Sequence, residues 1–444
     1  MTERSGAALS VGETLLHIGP FKTGTTTLQS ALHAARDRLQ THRVRYAGRQ
    51  RQALRAVSAA LGKPTPPGWE PFRIEEWQAL VEEVTTATDQ RVVVSSEFFS
   101  DADEDAAVRL TRDLGGPSVR VVVTLRPLAS ILPSYWQYVV QNGVRAPYQS
   151  WLRKTLDRAE EEPTSTFWRR QRHDRLVQRW AKAVGEENVT VVVVDEVDRG
   201  MMLRTFESLI GLPEGFLVPD PSSDDNRSLT FGEAELVRKL NTEFKQLGLA
   251  DTIDGRYLRR GVVRQMRALS PGYQDQRIVT PDWALERCAE IGTEVAANIA
   301  CSNVRLIGDV ATLGRPAGSV PRETKDASGE AAAGQPTGSD GTRSGTPVAV
   351  PTTPDVPEQV QQDPRISVEL ASAAVLGSVR ASKPELARRG DDYARDTVSS
   401  IPAAPPTDTL PLEHGRVADV RARDLVAVLV GRVRRRIRRK LRRR

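Results

Sequence analysis

The stretch Leu15-Leu16-His17-Ile18-Gly19-Pro20-Phe21-Lys22-Thr23-Gly24-Thr25-Thr26-Thr27-Leu28-Gln29 decides how the chain is read. An apolar strand, Thr14 to Ile18, runs into a Gly/Pro turn. The turn feeds a helix whose inward stripe is Leu28, Ala31, Leu32, Ala35 and Leu39, at helical spacing. Strand, glycine loop and helix make the layout of a phosphate-binding loop. Backbone N–H groups left unpaired at a helix N-terminus, with the positive end of the helix dipole, form an anion site. Lys22 adds a point charge, Gly24 the turn, and the hydroxyls of Thr23, Thr25, Thr26 and Thr27 further donors. The order of residues is not that of a nucleotide triphosphatase, whose loop places lysine after the last glycine. Here Lys22 precedes Gly24, which argues for a grip on a single phosphate.

At these residues the sequence resembles the sulfotransferases that use the donor PAPS (3'-phosphoadenosine 5'-phosphosulfate). That family carries a P-K-[ST]-G-T-T loop for the donor's 5'-phosphate, and Pro20 to Thr26 matches it with Phe21 inserted before the lysine. A second match lies about a hundred residues on. Arg126 closes the run Val122-Val123-Thr124-Leu125, and Ser134 follows eight residues later. In the family an arginine and a serine at this spacing bind the donor's 3'-phosphate. The chemistry is sound, because a planar guanidinium grips a phosphate through two parallel charged hydrogen bonds. The bland reading pairs Arg126 with a carboxylate and leaves Ser134 at a helix start. The resemblance covers Glu13 to about Val197 and fades beyond it.

For the base, cytosolic relatives use a histidine between the two phosphate motifs, and none lies between His42 and His173 here. Glu97, after Val92-Val93-Val94-Ser95-Ser96, stands in that place, and glycan-modifying members of the family employ a glutamate there. Desolvation by Phe98 and Phe99 would raise its pKa towards useful basicity. The structural alternative has Glu97 capping the next helix or pairing with a lysine. His17 reads as a satisfied core residue and Asp195-Glu196 as structural. The family's third donor motif, Arg-Lys-Gly followed by Trp, has only a faint echo in Arg259-Arg260-Gly261.

Around this centre, the runs Arg91 to Ser95, Val119 to Leu125 and Val189 to Val194 are apolar on both faces, as parallel strands beneath helices must be. Val44 to Tyr46 reads as a further short strand. Helices are expected over Arg49 to Leu61, Ile74 to Thr88, His173 to Val184, Met201 to Ile210, Phe231 to Gln246 and Asp282 to Cys301. The fold class is therefore α/β, a doubly wound parallel sheet flanked by helices, with ligands at the carboxyl ends of the strands.

Three regions are expected: a sulfotransferase-like α/β domain over 1–313, a Pro/Gly/Ser/Ala-rich disordered linker over 314–415, and a basic amphipathic tail over 416–444. The tail holds thirteen Lys/Arg against two Asp, a net of +11 where the whole chain carries +6, so the remainder is −5. Val426, Leu429, Val430, Val433, Ile437 and Leu441 form its apolar stripe, which suits an anionic membrane surface; a solvated tail without contacts is the alternative. Nucleic acid is disfavoured, since no aromatic residue interleaves with the arginines. No stretch reaches the ~18 apolar residues of a membrane span, and Met1 to Gly12 lacks the pattern of a secretory signal, so a cytoplasmic protein peripheral to the inner membrane surface is expected. Cys288 and Cys301, ~20 Å apart on one helix, read as free buried thiols.

Together these readings predict transfer of a sulfuryl group from PAPS, releasing PAP, to a hydroxyl, or second to it an amine, of a carbohydrate, glycolipid or small metabolite. Lys22 and Glu97 would be catalytic. Lys22, Thr23, Gly24, Thr25, Thr26, Thr27, Arg126 and Ser134 would hold the donor, and no metal is needed. The competing readings are a P-loop kinase or triphosphatase and an inactive sulfotransferase-like binding module.

Overall fold

The computed structural model describes residues 8–66, 69–157, 165–219, 227–246, 261–269 and 277–315, together with 365–366, 374 and 420–421. The expected linker and basic tail fall almost wholly outside the described residues. Within them, six parallel strands form one sheet: β1 (Thr14–Ile18), β2 (Val44–Tyr46), β3 (Arg91–Ser95), β4 (Val119–Leu125), β5 (Val189–Val193) and β6 (Arg305–Ile307), in the order β2-β3-β1-β4-β5-β6.

Alternating side chains of each strand enter two separate cores, which is what a doubly wound sheet requires. Leu16, Ile18, Val92, Val94, Val121, Val123, Val191 and Val193 face one core, with Trp77, Trp136 and Trp180 from the helices over it. Leu15, Val93, Val122 and Val192 face the other, against Leu28, Leu32 and Phe206. The chain leaves β1 towards β2 on one side and leaves β4 towards β5 on the other. The carboxyl ends of β1 and β4 therefore flank the crevice where the winding reverses, the place such sheets offer to ligands.

Several boundaries differ from the sequence expectation for local reasons. The helix expected from Arg49 begins only at Leu54 and ends at Ala60. The segment before it is tied to the sheet instead, with Ala47 N donating to Val93 O and Ala53 N to Ser95 O. The first helix, Thr25–Ala34, breaks at Ala35 and resumes at Arg36–Leu39. Strand β6 was not expected, being a three-residue edge strand with Leu306 exposed. Cys288 is buried, but the last helix stops at Ala300 and leaves Cys301 exposed just beyond it, so only one of the two thiols is a core group. Among the described residues, no helix is long and apolar enough to cross a membrane.

Candidate active site

The loop after β1 is shaped by its two glycines. A Cβ on Gly19 would lie 1.8 Å from Thr25 Cγ2, so the strand can turn onto its helix only with no side chain there. Gly24 takes φ 86° and caps the Thr25–Ala34 helix with no side-chain acceptor for its first-turn amides. Thr27 N donates to Gly24 O at 3.3 Å, and a helix N-terminus without a side-chain cap is the arrangement that receives an anion. Lys22 adopts φ 76°, left-handed and unusual for a residue with a side chain. That conformation costs on the order of 1 kcal/mol and persists only where the surroundings hold it.

Beneath the loop a neutral polar chain crosses three strands. Gln29 Nε2 donates to Ser95 Oγ at 3.1 Å, and Ser95 Oγ meets His17 Nδ1 at 2.8 Å. His17 Nε2 lies 3.3 Å from Thr124 Oγ1, which is 3.2 Å from Thr23 Oγ1. Thr23 Oγ1 donates to Pro20 O at 2.8 Å. Burial lowers the His17 pKa to about 3, so it is a neutral core residue, as read from the sequence. The Thr23 side chain differs from the expectation. Fully buried, it braces the loop from below and offers no hydroxyl to a ligand above, whereas Thr26 and Thr27 remain accessible.

On the neighbouring strand, Glu97 opens the short turn Glu97–Asp101 after β3. Ser96 performs the capping, its side chain accepting from Phe98 N, while the Glu97 carboxylate accepts from its own backbone N–H and from the amides of Gln29 and Gln52. Burial raises the Glu97 pKa, opposed by the amides of Gln29 and Gln52 and by the charge of Lys22. Burial likewise lowers the Lys22 pKa; Arg267 lowers it further and Glu97 counters. The lysine and the glutamate thus sense one another from the ends of adjacent strands. The Lys22 ammonium lies 5.7 Å from the Tyr138 ring centre. Tyr138 belongs to an aromatic wall with Phe21, Phe98, Tyr135, Trp151 and Phe167. Phe98 joins that wall, while Phe99 turns into the main core.

Arg126 stands at the end of β4, on the other side of the crevice. Its Nη1 donates to Lys22 O at 3.2 Å, tying the loop after β1 to the end of β4. Its remaining fork rests on Glu196 Oε1, with Nη2 at 2.6 Å and Nε at 3.2 Å. The carboxylate partner weighed in the sequence is therefore present. Ser134 lies in the second turn of the Leu128–Gln141 helix, and its hydroxyl donates to Ile131 O at 2.9 Å beside Pro133.

The sequence reading missed four contributors. Tyr138 was within reach of it, one helical turn after Ser134 on the same face. Arg170, Gln171 and Arg267 carried no spacing signal. Arg170 is buried, binds Asp101 at 2.6 and 2.8 Å and lies 3.7 Å above the Phe21 ring. Arg267 has a buried Nε with no partner, and burial and Arg227 lower its pKa. Of the faint Arg259-Arg260-Gly261 echo, the two arginines lie outside the described residues. Among the described residues, no three His, Cys, Asp or Glu side chains converge as a metal cluster would.

Helix N-terminal amides without a side-chain cap, a lysine, an arginine and a carboxylate whose pKa burial raises thus meet at the carboxyl edge of the sheet. Comparison with known proteins bears on the same segment. Residues 14–199 match the family model described as a sulfotransferase domain. A solved sulfotransferase from Alicyclobacillus acidocaldarius is similar at 17% identity over 52% of this chain and 93% of that chain, with a TM-score of 0.35, a likeness too slight to carry argument. No curated protein matches the chain. Over residues 14–199, the chain is similar to the sulfotransferase family.

Proposed function

We propose that the chain transfers a sulfuryl group from PAPS to a hydroxyl, or second to it an amine, of a carbohydrate, glycolipid or small metabolite. The observation that carries this reading is that Lys22 and Glu97, after the adjacent strands β1 and β3, each shift the other's pKa beside a helix N-terminus whose first-turn amides no side chain caps. PAPS, when bound, supplies an activated sulfuryl group on a phosphate leaving group.

Lys22 and the amides of Gly24, Thr25 and Thr26, with the Thr26 and Thr27 hydroxyls, hold the 5'-phosphate. Arg126, released from Glu196, grips the 3'-phosphate beside Ser134. Glu97 accepts the acceptor's proton at its carboxylate as the acceptor oxygen approaches sulfur in line. Desolvation suits it to that role, since its raised pKa makes it a stronger base than an exposed carboxylate. Lys22 faces the charge that develops on the departing phosphate oxygen, where a preorganised cation in a partly water-excluded site is most effective. The aromatic wall beside Lys22 closes one side of the acceptor space. We also propose that the basic tail holds the protein at an anionic membrane surface.

The test of the donor is thermal. PAP at a hundred times its dissociation constant should stabilise the protein by ~2.7 kcal/mol without magnesium. Equal or greater stabilisation by magnesium-ATP would overturn the reading in favour of a kinase.

A further inference from the structure

Lys22 is a lysine in a backbone conformation that favours glycine, and the peptide before it is held from outside the loop. Phe21 O accepts a hydrogen bond from Gln171 Nε2 at 3.1 Å. Gln171 ends the Thr166–Gln171 helix, 150 residues away in sequence, and is only 2% exposed. Its other amide atom, Oε1, lies 3.2 Å from His173 Nε2. Both acceptors in this chain are oxygens that cannot donate. His173 must therefore carry its proton on Nε2, and the Gln171 amide must turn its NH2 towards Phe21. Burial lowers the His173 pKa to about 4, so a single neutral tautomer persists. The Phe21 ring is fixed as well, beneath the Arg170 guanidinium at 3.7 Å and against Phe98 and Tyr138 at 5.2 and 5.4 Å. On its far side the Lys22 carbonyl is held by Arg126.

We propose that Gln171 is a positioning residue for Lys22: its amide, oriented by His173, clamps the Phe21–Lys22 peptide so that the lysine is held left-handed with its ammonium over the loop. The inserted Phe21 is the handle for this clamp, since its carbonyl and its ring are the groups that Gln171 and Arg170 grip. The inference rests on the reading of Lys22 as the cation that meets the donor's phosphate.

A double-mutant cycle on the full chain tests it, with PAP affinity measured by calorimetry for wild type, Gln171→Met, Lys22→Ala and the double variant. Methionine matches the glutamine in size and donates no hydrogen bond. Gln171→Met is expected to weaken PAP about tenfold in the wild-type background and less than about twofold in the Lys22→Ala background, because its effect passes through the lysine. Equal weakening in both backgrounds means a general structural role and overturns the proposal, as does unchanged affinity in the single variant. Should Gln171→Met not fold, Gln171→Asn keeps an amide but withdraws it from Phe21 O, and the same cycle is expected. Wild-type protein that fails to bind PAP overturns the donor reading itself. PAP binding that Lys22→Ala leaves intact overturns the role of the lysine. A flat cycle with both of those intact overturns Gln171 alone.

Discussion

Glu196 and Arg126 offer two substitutions of opposite sign at one ion pair. In the free protein a single carboxylate oxygen of Glu196 accepts from both Nε and Nη2 of Arg126, so the arms that would grip a phosphate are already taken. The pair is partly open to water, with side-chain exposures of 28% and 43%. Ion pairs of that kind contribute roughly 0.2–1 kcal/mol. Releasing the arginine by Glu196→Gln should therefore tighten PAP by up to about fivefold. Arg126→Ala removes charge-assisted hydrogen bonds, each worth about 1.5–3 kcal/mol, and should weaken PAP by roughly ten- to a hundredfold. The loss should lie towards the upper end, since Arg126 also holds the Lys22 carbonyl. Calorimetric titration of PAP at fixed salt reads both. Weaker binding by Glu196→Gln, or unaltered binding by Arg126→Ala, would refute the assignment of Arg126 to a donor phosphate.

Four further outcomes follow from the site and the tail. Glu97→Gln should lower turnover by ~10²- to 10⁴-fold while PAP affinity changes little. Because the folded pKa of Glu97 is raised, the free protein's stability from this group is present at low pH and lost as pH rises through that pKa; a scan of melting temperature against pH should lose this dependence in Glu97→Gln. The activity profile should rise on its acid side above the ordinary carboxylate range and fall on its alkaline side below that of an exposed lysine, following the raised Glu97 and lowered Lys22 pKa values. Deleting Gly415 to Arg444 should abolish salt-dependent binding to anionic vesicles and leave turnover of a water-soluble acceptor unchanged. Vesicle binding that survives the deletion would count against the tail.

The sheet was legible because β1, β3, β4 and β5 are buried on both faces and so read as unbroken apolar runs. The edge strand β6 escaped, since three residues with one exposed leave no such run. That Lys22, Glu97 and Arg126 share one edge of the sheet was legible because a parallel sheet delivers the residues after each strand to the same edge. Gln171 and Arg170 were not, for they reach the loop from a short helix 150 residues away in sequence, and no local period encodes that approach. Thr23 shows the opposite limit. Its place in the motif suggested a ligand, but the hydroxyl of Thr124 beneath it draws its side chain into the fold.

The most direct test is transfer itself. Purified protein incubated with sulfur-labelled PAPS and a cell extract should move label onto an acceptor and release PAP, with the transfer greatly reduced in Glu97→Gln and in Lys22→Ala at equal protein and saturating donor. Labelled acceptor formed equally well by Glu97→Gln would contradict the account, and so would wild-type protein that binds PAP yet passes no label to any component of the extract.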